Sequence, residues 1–432
     1  MKRIGRMGLA GLILAMGLCG CTPETAPVQA PPGGSSGPAV ESTTRAGTSG
    51  TGSSSMPDTT TTAATWKDSA SSSSVSAPAI STEIDDICAE YAVSGLSLVA
   101  FRGEEVLYTK TYGYADQKKT RPVTLQTKYR IASISKTVTG LMALQLVDAG
   151  RLDLDADISS YIGISIRSPQ YPDVPITTRM LLSHTSGLMD SKRYNQNTDQ
   201  PPFEDLTAIV EDGACFSSSR PGTRYRYSNF GCGLVAGVIE GVTGERFYTY
   251  TRTKLEEWGM DAAYLRTQID APDTIAQIFR GRSLRADVPH WGRVEEAYEA
   301  LPPGHLYLLA HGDLIISAPD LAKIGMVLAG DGSYAGKAWL SAARLREMRT
   351  PVKNAYGLTL TRTTQLVKGR TMYGHAGKAY GMVAGLYVDP NDRTGVALIT
   401  NGCSTAKNAA GLYEITDALV NLLYRTVFVE AA

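Results

Sequence analysis

The chain has 432 residues, of which 43% are apolar and 19% are charged, a balance typical of a globular protein with a sizeable buried core. Its 42 basic and 42 acidic residues cancel to a formal charge of zero. Nucleic-acid-binding proteins usually carry a basic excess, so this charge balance argues against that class of function.

The N-terminus has the pattern of a targeting segment. Three basic residues within the first six precede an apolar run over residues 7–18, which is too short for a comfortable transmembrane helix. The run ends in a Leu-Cys-Gly-Cys sequence that closes at Cys21 and resembles a bacterial lipoprotein lipobox. It predicts residues 1–20 as a lipoprotein signal peptide and Cys21 as the lipid-bearing residue. The alternative is an ordinary signal peptide that contains two cysteines.

Residues 21–78 consist mostly of Ser, Thr, Gly, Pro and Ala. Such a segment cannot bury enough apolar surface to offset the entropy lost on ordering, so it is predicted to be a disordered tether. Residues 79–432 remain as one folded domain. A lipid on Cys21 would hold this domain at a membrane surface without spanning it. The expected location is therefore the cell envelope, on the extracytoplasmic side of the membrane.

Patterns of apolar and turn residues predict helices and strands along the domain. They are a helix over 81–91, strands over 96–101 and 106–112 joined by a hairpin at Arg102-Gly103, a helix over 133–149 ended by Gly150, a helix over 321–328 capped near Ser317, strands over 357–362, 381–388 and 395–400, and a helix over 409–425. Strands thus lie toward both ends of the domain, and a largely helical, loop-rich segment lies between them. This order predicts an α+β fold whose sheet is built from both chain ends.

Four cysteines lie in the predicted domain, at positions 88, 215, 232 and 403. An exported chain can oxidise them, and four cysteines allow three pairings. The turn-rich segment between Cys215 and Cys232 favours that pair, and the alternative is that the thiols are buried and free. None shows Cys-x-x-Cys spacing, so a zinc or redox site is not indicated.

Ser133 and Lys136 are the first candidates for chemistry. They lie three residues apart at the start of a predicted helix, a spacing that puts both side chains on one face. A serine hydroxyl is a poor nucleophile and needs a base within reach, which Lys136 can supply. Free N–H groups at a helix N-terminus can stabilise an oxyanion. The same spacing recurs at Ser404 and Lys407, in a polar loop that we interpret as structural.

Two further motifs follow Ser133 along the chain. Tyr227-Ser228-Asn229 offers a phenol that can shuttle a proton and a carboxamide that can position a carbonyl. His375-Ala376-Gly377 leads into a run of predicted strands, where a glycine lets a substrate backbone lie close to the strand edge. His290, His305 and His311 lack metal-ligand spacing, so neither a metal nor a cofactor is predicted.

With these motifs in this order, the chain resembles the serine β-lactamase-like hydrolases. That family includes class C β-lactamases, penicillin-binding D-alanyl-D-alanine carboxypeptidases, D-aminopeptidases and related esterases. The resemblance runs from about Ile80 to Phe428. Its matching segments are Tyr129 to Lys136, Leu181 to Leu188, Pro221-Gly222 leading to Tyr227-Ser228-Asn229, and Asp313 to Leu321.

The resemblance implies a β-lactamase/transpeptidase-like fold, with the active site between an antiparallel sheet and a mostly helical insertion. It also implies a role for each matching residue. Ser133 would be acylated, Lys136 and Tyr227 would share the acid–base work, Asn229 would touch the substrate or orient Lys136, His375 and Gly377 would line the substrate cleft, and the backbone N–H groups of Ser133 and Lys378 would form the oxyanion hole.

His375 is a departure that bears on the substrate. Class C β-lactamases usually carry Lys at this place, where its charge helps to hold the β-lactam carboxylate. A histidine is mostly neutral near pH 7. This difference argues against an efficient β-lactamase and favours a peptidase, amidase or esterase. His184, in the Leu181 to Leu188 segment, is interpreted as a residue that fixes a loop rather than as a base.

The function predicted first is hydrolysis of an amide, peptide or ester bond through an acyl-Ser133 intermediate. A D-alanyl-D-alanine carboxypeptidase-like or esterase activity in the cell envelope fits best. The alternatives are a class C-like β-lactamase and a penicillin- or peptidoglycan-binding lipoprotein without turnover. The expected partners are a small-molecule, peptide or ester substrate, with peptidoglycan as one candidate, and the membrane through the lipid on Cys21. No nucleic acid is expected.

Overall fold

The computed structural model describes residues 77–196, 201–280, 283–284 and 291–429. All of them belong to one compact unit that covers residues 65–432. The predicted signal peptide, the lipid on Cys21 and nearly all of the predicted tether lie outside the described residues. Within the described ranges, no helix has both the length and the apolar character needed to cross a membrane.

In the described chain, the helices between residues 135 and 257 follow one another without a strand between them, and strands lie before and after this helical run. The helices are α1 Ala77–Glu90, α2 Ser135–Asp148, α3 Ser159–Ile162, α4 Thr178–Leu182, α5 Lys192–Gln196, α6 Leu206–Glu211, α7 Asn229–Thr243, α8 Phe247–Glu257, α9 Trp291–Glu299, α10 Ala318–Ala329, α11 Ala342–Arg349 and α12 Glu414–Thr426. The strands are β1 Gly95–Arg102, β2 Glu105–Gly113, β3 Lys128–Arg130, β4 Phe279–Arg280, β5 Ser283–Leu284, β6 Ile315–Ser317, β7 Ser333–Tyr334, β8 Lys337–Ala338, β9 Thr361–Thr363, β10 Met372–Ala379, β11 Met382–Asp389 and β12 Thr394–Gly402.

A six-stranded antiparallel sheet in the order β2-β1-β12-β11-β10-β9 joins the two ends of the domain. Strand β1 pairs directly with β12, and Leu98 lies opposite Leu398. The chain between β2 and β9 supplies most of the helices. The predicted α+β fold, with a sheet built from both chain ends and a mostly helical insertion, is confirmed.

The sheet is covered on both faces, which is why β1 reads as a nearly continuous apolar run. Its side chains alternate between two cores: Leu98 joins a smaller apolar cluster with residues of α1 and α12, and Val99 joins the larger cluster shared with the helical insertion. Helix α10 packs so closely on the inner face that a Cβ at Gly325 would lie 2.8 Å from the Phe101 ring. The domain is therefore layered as helices, sheet and helical insertion.

Helix α2 lies at the centre of the larger core, and nearly all of its residues are buried. Its buried threonines are satisfied by carbonyl groups of neighbouring segments: Thr137 donates to Thr359 O at 3.2 Å and Thr139 donates to Ala310 O at 2.8 Å. The helix ends as predicted, with Gly150 in the left-handed region at φ +67°. Because α2 is buried in the larger core, the residues at its N-terminus are held in a fixed position.

Helix α7 carries a stripe of glycines that brings other backbone segments against it. A Cβ on Gly233, Gly237 or Gly241 would lie 1.9, 2.2 or 1.9 Å from a carbonyl oxygen of a packed segment, which for Gly241 is helix α3 and for the other two is a loop. Larger residues would push these segments away, so the stripe sets the position of the whole helix. Asn229 is its first residue, and its placement follows from this packing.

Four local features differ from what the sequence predicts, and the first is helix α1, which begins at Ala77 rather than at residue 81. Strand β10 was not predicted from the apolar pattern, because its sequence is rich in small and polar residues. The predicted strand over 357–362 is a strand only at Thr361–Thr363, since Thr359 adopts φ +62° and donates its N–H to Leu182 O. The last helix begins at Glu414 rather than at residue 409, because the Asn408 side chain holds the preceding turn.

The predicted disulfide between Cys215 and Cys232 is wrong. All four cysteines of the described chain are free and buried. Cys215 lies in the loop after α6, where its carbonyl accepts from Met189 N, whereas α7 carries Cys232 close enough to Lys136 to feel its charge. The turn-rich segment between them leads to Tyr227 instead of closing a bridge. The alternative, that the thiols are buried and free, is confirmed.

Candidate active site

Ser133 lies in a 3₁₀ turn, Ala132–Ile134, that leads directly into α2. Ala132 adopts φ +47°, a left-handed conformation that costs a non-glycine residue on the order of 1 kcal/mol. The neighbouring backbone holds this turn, because Ile131 N donates to Leu314 O at 3.0 Å. The half-buried Ser133 hydroxyl is thereby presented at the wall of a cavity.

Lys136 follows one turn later and its side chain is completely buried. Its ammonium donates to Ser133 Oγ at 3.2 Å, to Asn229 Oδ1 at 2.8 Å and to His311 O at 2.6 Å. These three acceptors match the three hydrogens of an ammonium. Lys136 is thus aimed at Ser133 by two fixed partners, one of which is a backbone carbonyl.

Tyr227 approaches Ser133 from the other side. Its hydroxyl donates to Ser133 Oγ at 2.8 Å, and the Lys136 ammonium lies 5.0 Å from the centre of its ring. The Tyr227 side chain is 38% exposed, whereas Lys136 is fully enclosed. Two groups that can exchange a proton therefore reach the same oxygen, one from the protein interior and one from the cavity.

His184 supports the Tyr227 ring, and their ring centres are 4.3 Å apart. Its Nδ1 accepts from Ser228 N at 3.3 Å, so this nitrogen carries no proton. Burial, and then the charge of Lys136, hold the pKa of His184 well below its usual value. The neutral ring fixes the loop before α7, in agreement with the interpretation from the sequence.

Asp190 is a residue of the site that the sequence analysis missed. Its carboxylate accepts from Ser228 Oγ at 3.0 Å, from Asn229 Nδ2 at 2.9 Å and from Phe230 N at 2.9 Å. Because the Asn229 amide nitrogen is bound to Asp190, its oxygen faces Lys136. The only sequence signal is an acidic residue just after the matched Leu181 to Leu188 segment, and nothing local connects it to a motif 38 residues away.

His375 lies on β10, buried at the cavity wall, with its ring 6.3 Å from that of Tyr227. Burial, and then the charge of Lys136, lower the pKa of His375 to about 4. Its Nδ1 lies 2.7 Å from Ala376 O and therefore carries the proton, which leaves Nε2 as an acceptor. The ring is neutral near pH 7, as the sequence analysis expected.

Gly377 lies where β10 touches the segment that carries Ser133. An added Cβ would stand 2.1 Å from Ile131 O, so the glycine is needed for this close packing. The space at its Cα is filled by protein, and its predicted contact with a substrate stays a prediction. Lys378 comes next and lines the cavity.

Beyond Gly374, β10 has no pairing with β9, so the edge that carries Lys378 is open on that side within the described chain. An open edge suits the predicted N–H pair of Ser133 and Lys378, and this pair also stays a prediction.

The cavity has a volume of about 720 Å³. It is lined by Ser133, Tyr227 and His375 together with residues 355–356, 361–365 and 410–413. Lys407, from the second Ser-x-x-Lys spacing, also lines it. Ser404 lies outside any helix, is exposed and donates its N–H to Tyr91 O, so it lacks the helical setting of Ser133.

The chain is similar in sequence to known proteins. The model of the beta-lactamase family matches residues 80–419. "Protein flp" of Staphylococcus aureus strain N315 is 30% identical over 161 residues, which are 37% of this chain and 32% of that protein. "Penicillin-binding protein 4*" of Bacillus subtilis strain 168 is 27% identical over 163 residues, 37% of this chain and 35% of that protein. These matches span about a third of the length of either relative.

Solved structures share the fold. The octameric penicillin-binding protein homologue from Pyrococcus abyssi superimposes with a TM-score of 0.64 and 24% identity over 81% of this chain and 77% of that chain. The D-amino acid amidase from Ochrobactrum anthropi SV3 gives 0.62 and 24% over 81% and 98%. EstCE1, described as a hydrolase with promiscuous acyltransferase activity, gives 0.61 and 18% over 79% and 98%.

Proposed function

Because the chain belongs to the beta-lactamase family, a family of serine hydrolases, we propose that it hydrolyses an amide or ester bond through an acyl-Ser133 intermediate. One observation carries this proposal. Ser133 Oγ lies within hydrogen-bond reach of two proton carriers, Lys136 Nζ at 3.2 Å and Tyr227 Oη at 2.8 Å. A serine with such neighbours can lose its proton as it attacks a carbonyl.

Acylation requires the Lys136–Tyr227 pair to have first given up one proton to solvent, so that either the Lys136 amine or the Tyr227 phenolate can accept one. Ser133 Oγ then bonds to the substrate carbonyl carbon, and the hydroxyl proton of Ser133 passes to that group. The carbon–nitrogen or carbon–oxygen bond then breaks, and the leaving group takes up a proton. Tyr227 suits this second transfer because its hydroxyl end is open to the cavity while Lys136 is enclosed. The N–H groups of Ser133 and Lys378 are the proposed donors to the carbonyl oxygen as its negative charge develops.

Deacylation uses the same groups in reverse. A water molecule attacks the acyl carbon, gives a proton to the Lys136–Tyr227 pair and releases the acid, while Ser133 regains its hydrogen. The net reaction consumes one water and no other reactant.

Within this class we favour a D-alanyl-D-alanine carboxypeptidase-like or esterase activity. The support is His375, whose neutral ring offers no positive charge at the place where class C β-lactamases usually carry Lys. A class C-like β-lactamase, or a penicillin-binding protein without turnover, is the second candidate.

We also propose that the protein works in the cell envelope, anchored by a lipid on Cys21. The support is the N-terminal sequence, with its basic residues, short apolar run and lipobox-like ending. Growth of a producing bacterium with a labelled fatty acid tests the anchor. Label should enter the wild-type protein and be absent from Cys21→Ser, and equal labelling of both would refute it.

The nucleophile is tested by labelling the purified protein with a fluorophosphonate and with a fluorescent penicillin, followed by mapping of the adduct. The adduct should lie on Ser133 and be lost in Ser133→Ala. Ser404→Ala is the matched control, because it removes the serine of the other Ser-x-x-Lys spacing and should label normally. Labelling that persists in Ser133→Ala would overturn the assignment.

Substrate assays separate the candidates. Turnover of D-alanyl-D-alanine peptides favours a carboxypeptidase, and turnover of 4-nitrophenyl esters without those peptides favours an esterase. Rapid hydrolysis of nitrocefin would contradict the preference against a β-lactamase.

A further inference from the structure

The cavity that contains Ser133 has a one-sided charge. Its charged lining side chains are Arg362, Lys378 and Lys407, and no Asp or Glu occurs among the described residues that line it. All three basic side chains are exposed, and none forms an ion pair within the described part of the chain. His375 is neutral, and the buried Lys136 ammonium is countered by the Asp190 carboxylate to which Asn229 links it, so the three exposed basic groups set the sign of the potential. A pocket lined by charges of one sign concentrates ligands of the opposite sign.

Two of these charges are held together by one aromatic ring. The ammonium of Lys378 lies 5.0 Å from the centre of the Tyr413 ring, and that of Lys407 lies 5.1 Å from it. The two ammonium groups therefore stand no further apart than about 10 Å, close to the Debye length at 0.1 M salt. An anion beside Tyr413 would feel both charges.

The aromatic rings of the cavity do not offset this preference. A cationic substrate could in principle be attracted to the face of a tyrosine. However, the Tyr413 ring already has Lys378 and Lys407 close to it, and the Tyr227 ring has Lys136 at 5.0 Å. A substrate with a free ammonium group would meet these charges and be repelled.

We propose that the cavity selects substrates that carry a carboxylate, held by Lys378 and Lys407 beside Tyr413 and not at His375, while the scissile carbonyl lies at Ser133. This inference rests on the proposed hydrolase function and narrows it to anionic acyl compounds. It disfavours amino acid amides with a free α-ammonium, although one structural neighbour is a D-amino acid amidase. The carboxylate can belong to the acyl part or to the leaving group.

The first test uses three 4-nitrophenyl esters of similar length: the monoester of glutaric acid, the ester of valeric acid and the ester of 4-(trimethylammonio)butyric acid. The expected order of kcat/KM is anionic, neutral, cationic, with steps of roughly tenfold, equivalent to about 1.4 kcal/mol each. A second pair, N-acetyl-D-Ala-D-Ala and its C-terminal amide, tests a carboxylate on the leaving group. A preference for the carboxylate only in the ester series places the recognised carboxylate on the acyl part. A preference only in the D-Ala-D-Ala pair places it on the leaving group.

Lys407→Glu tests the residues. It should lower the ratio of kcat/KM for the anionic ester to that for the neutral ester by roughly tenfold and raise the relative rate of the cationic ester. A merely structural defect would not reverse a charge preference. Lys118→Glu makes the same charge change at an exposed position outside the cavity and should leave all three ratios unchanged.

Salt gives a readout that does not depend on a variant. At about 1 M salt the Debye length is about 3 Å, so the preference of the wild-type protein for the anionic ester should shrink. Equal kcat/KM for the three esters, with Ser133 still labelled by a fluorophosphonate, would overturn the carboxylate proposal alone. Absence of both turnover and labelling would overturn the hydrolase function and, with it, this proposal.

Discussion

Asp190 provides a sharp test of how the site is held together. Its carboxylate receives hydrogen bonds from Ser228 Oγ, Asn229 Nδ2 and Phe230 N, all at 2.9 to 3.0 Å. We expect Asp190→Asn, which keeps the size of the side chain, to disturb Lys136 without removing any group that touches Ser133. The reason is that the carboxamide replaces one acceptor oxygen by a donor.

The consequences follow from the geometry. If the new amide oxygen faces Ser228 and Phe230, its NH₂ group meets Asn229 Nδ2, and two donors oppose each other. If Asn229 rotates to relieve this, its own NH₂ group faces the Lys136 ammonium. Lys136 then loses the Asn229 Oδ1 acceptor that lies at 2.8 Å in the wild-type protein. Either way one hydrogen bond to a charged group is lost, at a cost of about 1.5–3 kcal/mol. If the activation free energy of acylation rises by this amount, kcat falls roughly 10- to 150-fold.

The assay is the turnover of a 4-nitrophenyl ester together with the rate of fluorophosphonate labelling. KM should change little, because Asp190 does not line the cavity. Asp205→Asn is the matched control: Asp205 caps α6, where Asn serves nearly as well, and this variant should keep wild-type kcat. A folded Asp190→Asn protein whose kcat lies within about twofold of wild type would refute the reasoning.

Three other changes have defined outcomes. Tyr227→Phe removes the hydroxyl at 2.8 Å from Ser133 Oγ and should lower kcat/KM by about 10²–10⁴-fold, and a loss below about tenfold would speak against its role as a proton carrier. The pKa of His375 is about 4 in the folded state against 6.5 when unfolded, so its contribution to stability is complete above pH 6.5 and falls as the pH drops toward 4, by about 2 kcal/mol at pH 5. Denaturant unfolding of wild type and His375→Gln at pH 8 and pH 5 measures this contribution. An equal decrease in the free energy of unfolding of both proteins between the two pH values would contradict the prediction. Gly377→Ala places a Cβ 2.1 Å from a carbonyl oxygen and should destabilise the protein by about 1–3 kcal/mol in thermal unfolding. Gly312→Ala is the control, because a Cβ there has its nearest neighbour at 4.0 Å and should not destabilise the protein. Equal melting temperatures of the two variants would be inconsistent with the packing argument.

Several features of the fold could be predicted from the sequence because they depend on neighbours along the chain. Ser317 caps α10 by accepting from Asp320 N, and Gly150 ends the α2 region with a positive φ, as their local patterns predicted. The spacing of Ser133 and Lys136 is of the same kind, since one helical turn brings the two side chains within 3.2 Å. Such interactions are set by backbone geometry over three or four residues.

Other features depend on how distant segments pack, and the chain pattern carries no sign of them. The carbonyl that receives Lys136 belongs to His311, and any residue type could supply it. Cys215 and Cys232 are close in sequence, yet helix and loop packing sends them to different surroundings.

The sequence by itself therefore predicted that Ser133, Lys136 and Tyr227 belong to one site, and it predicted the α+β architecture, because motif order and periodicity encode them. The tertiary structure alone decided that Asp190 fixes the Asn229 amide and that Lys407 joins Lys378 at Tyr413. These contacts arise where the sheet, the insertion and the loop before α12 meet. Their distances are set by the packing of whole layers, which no local pattern records.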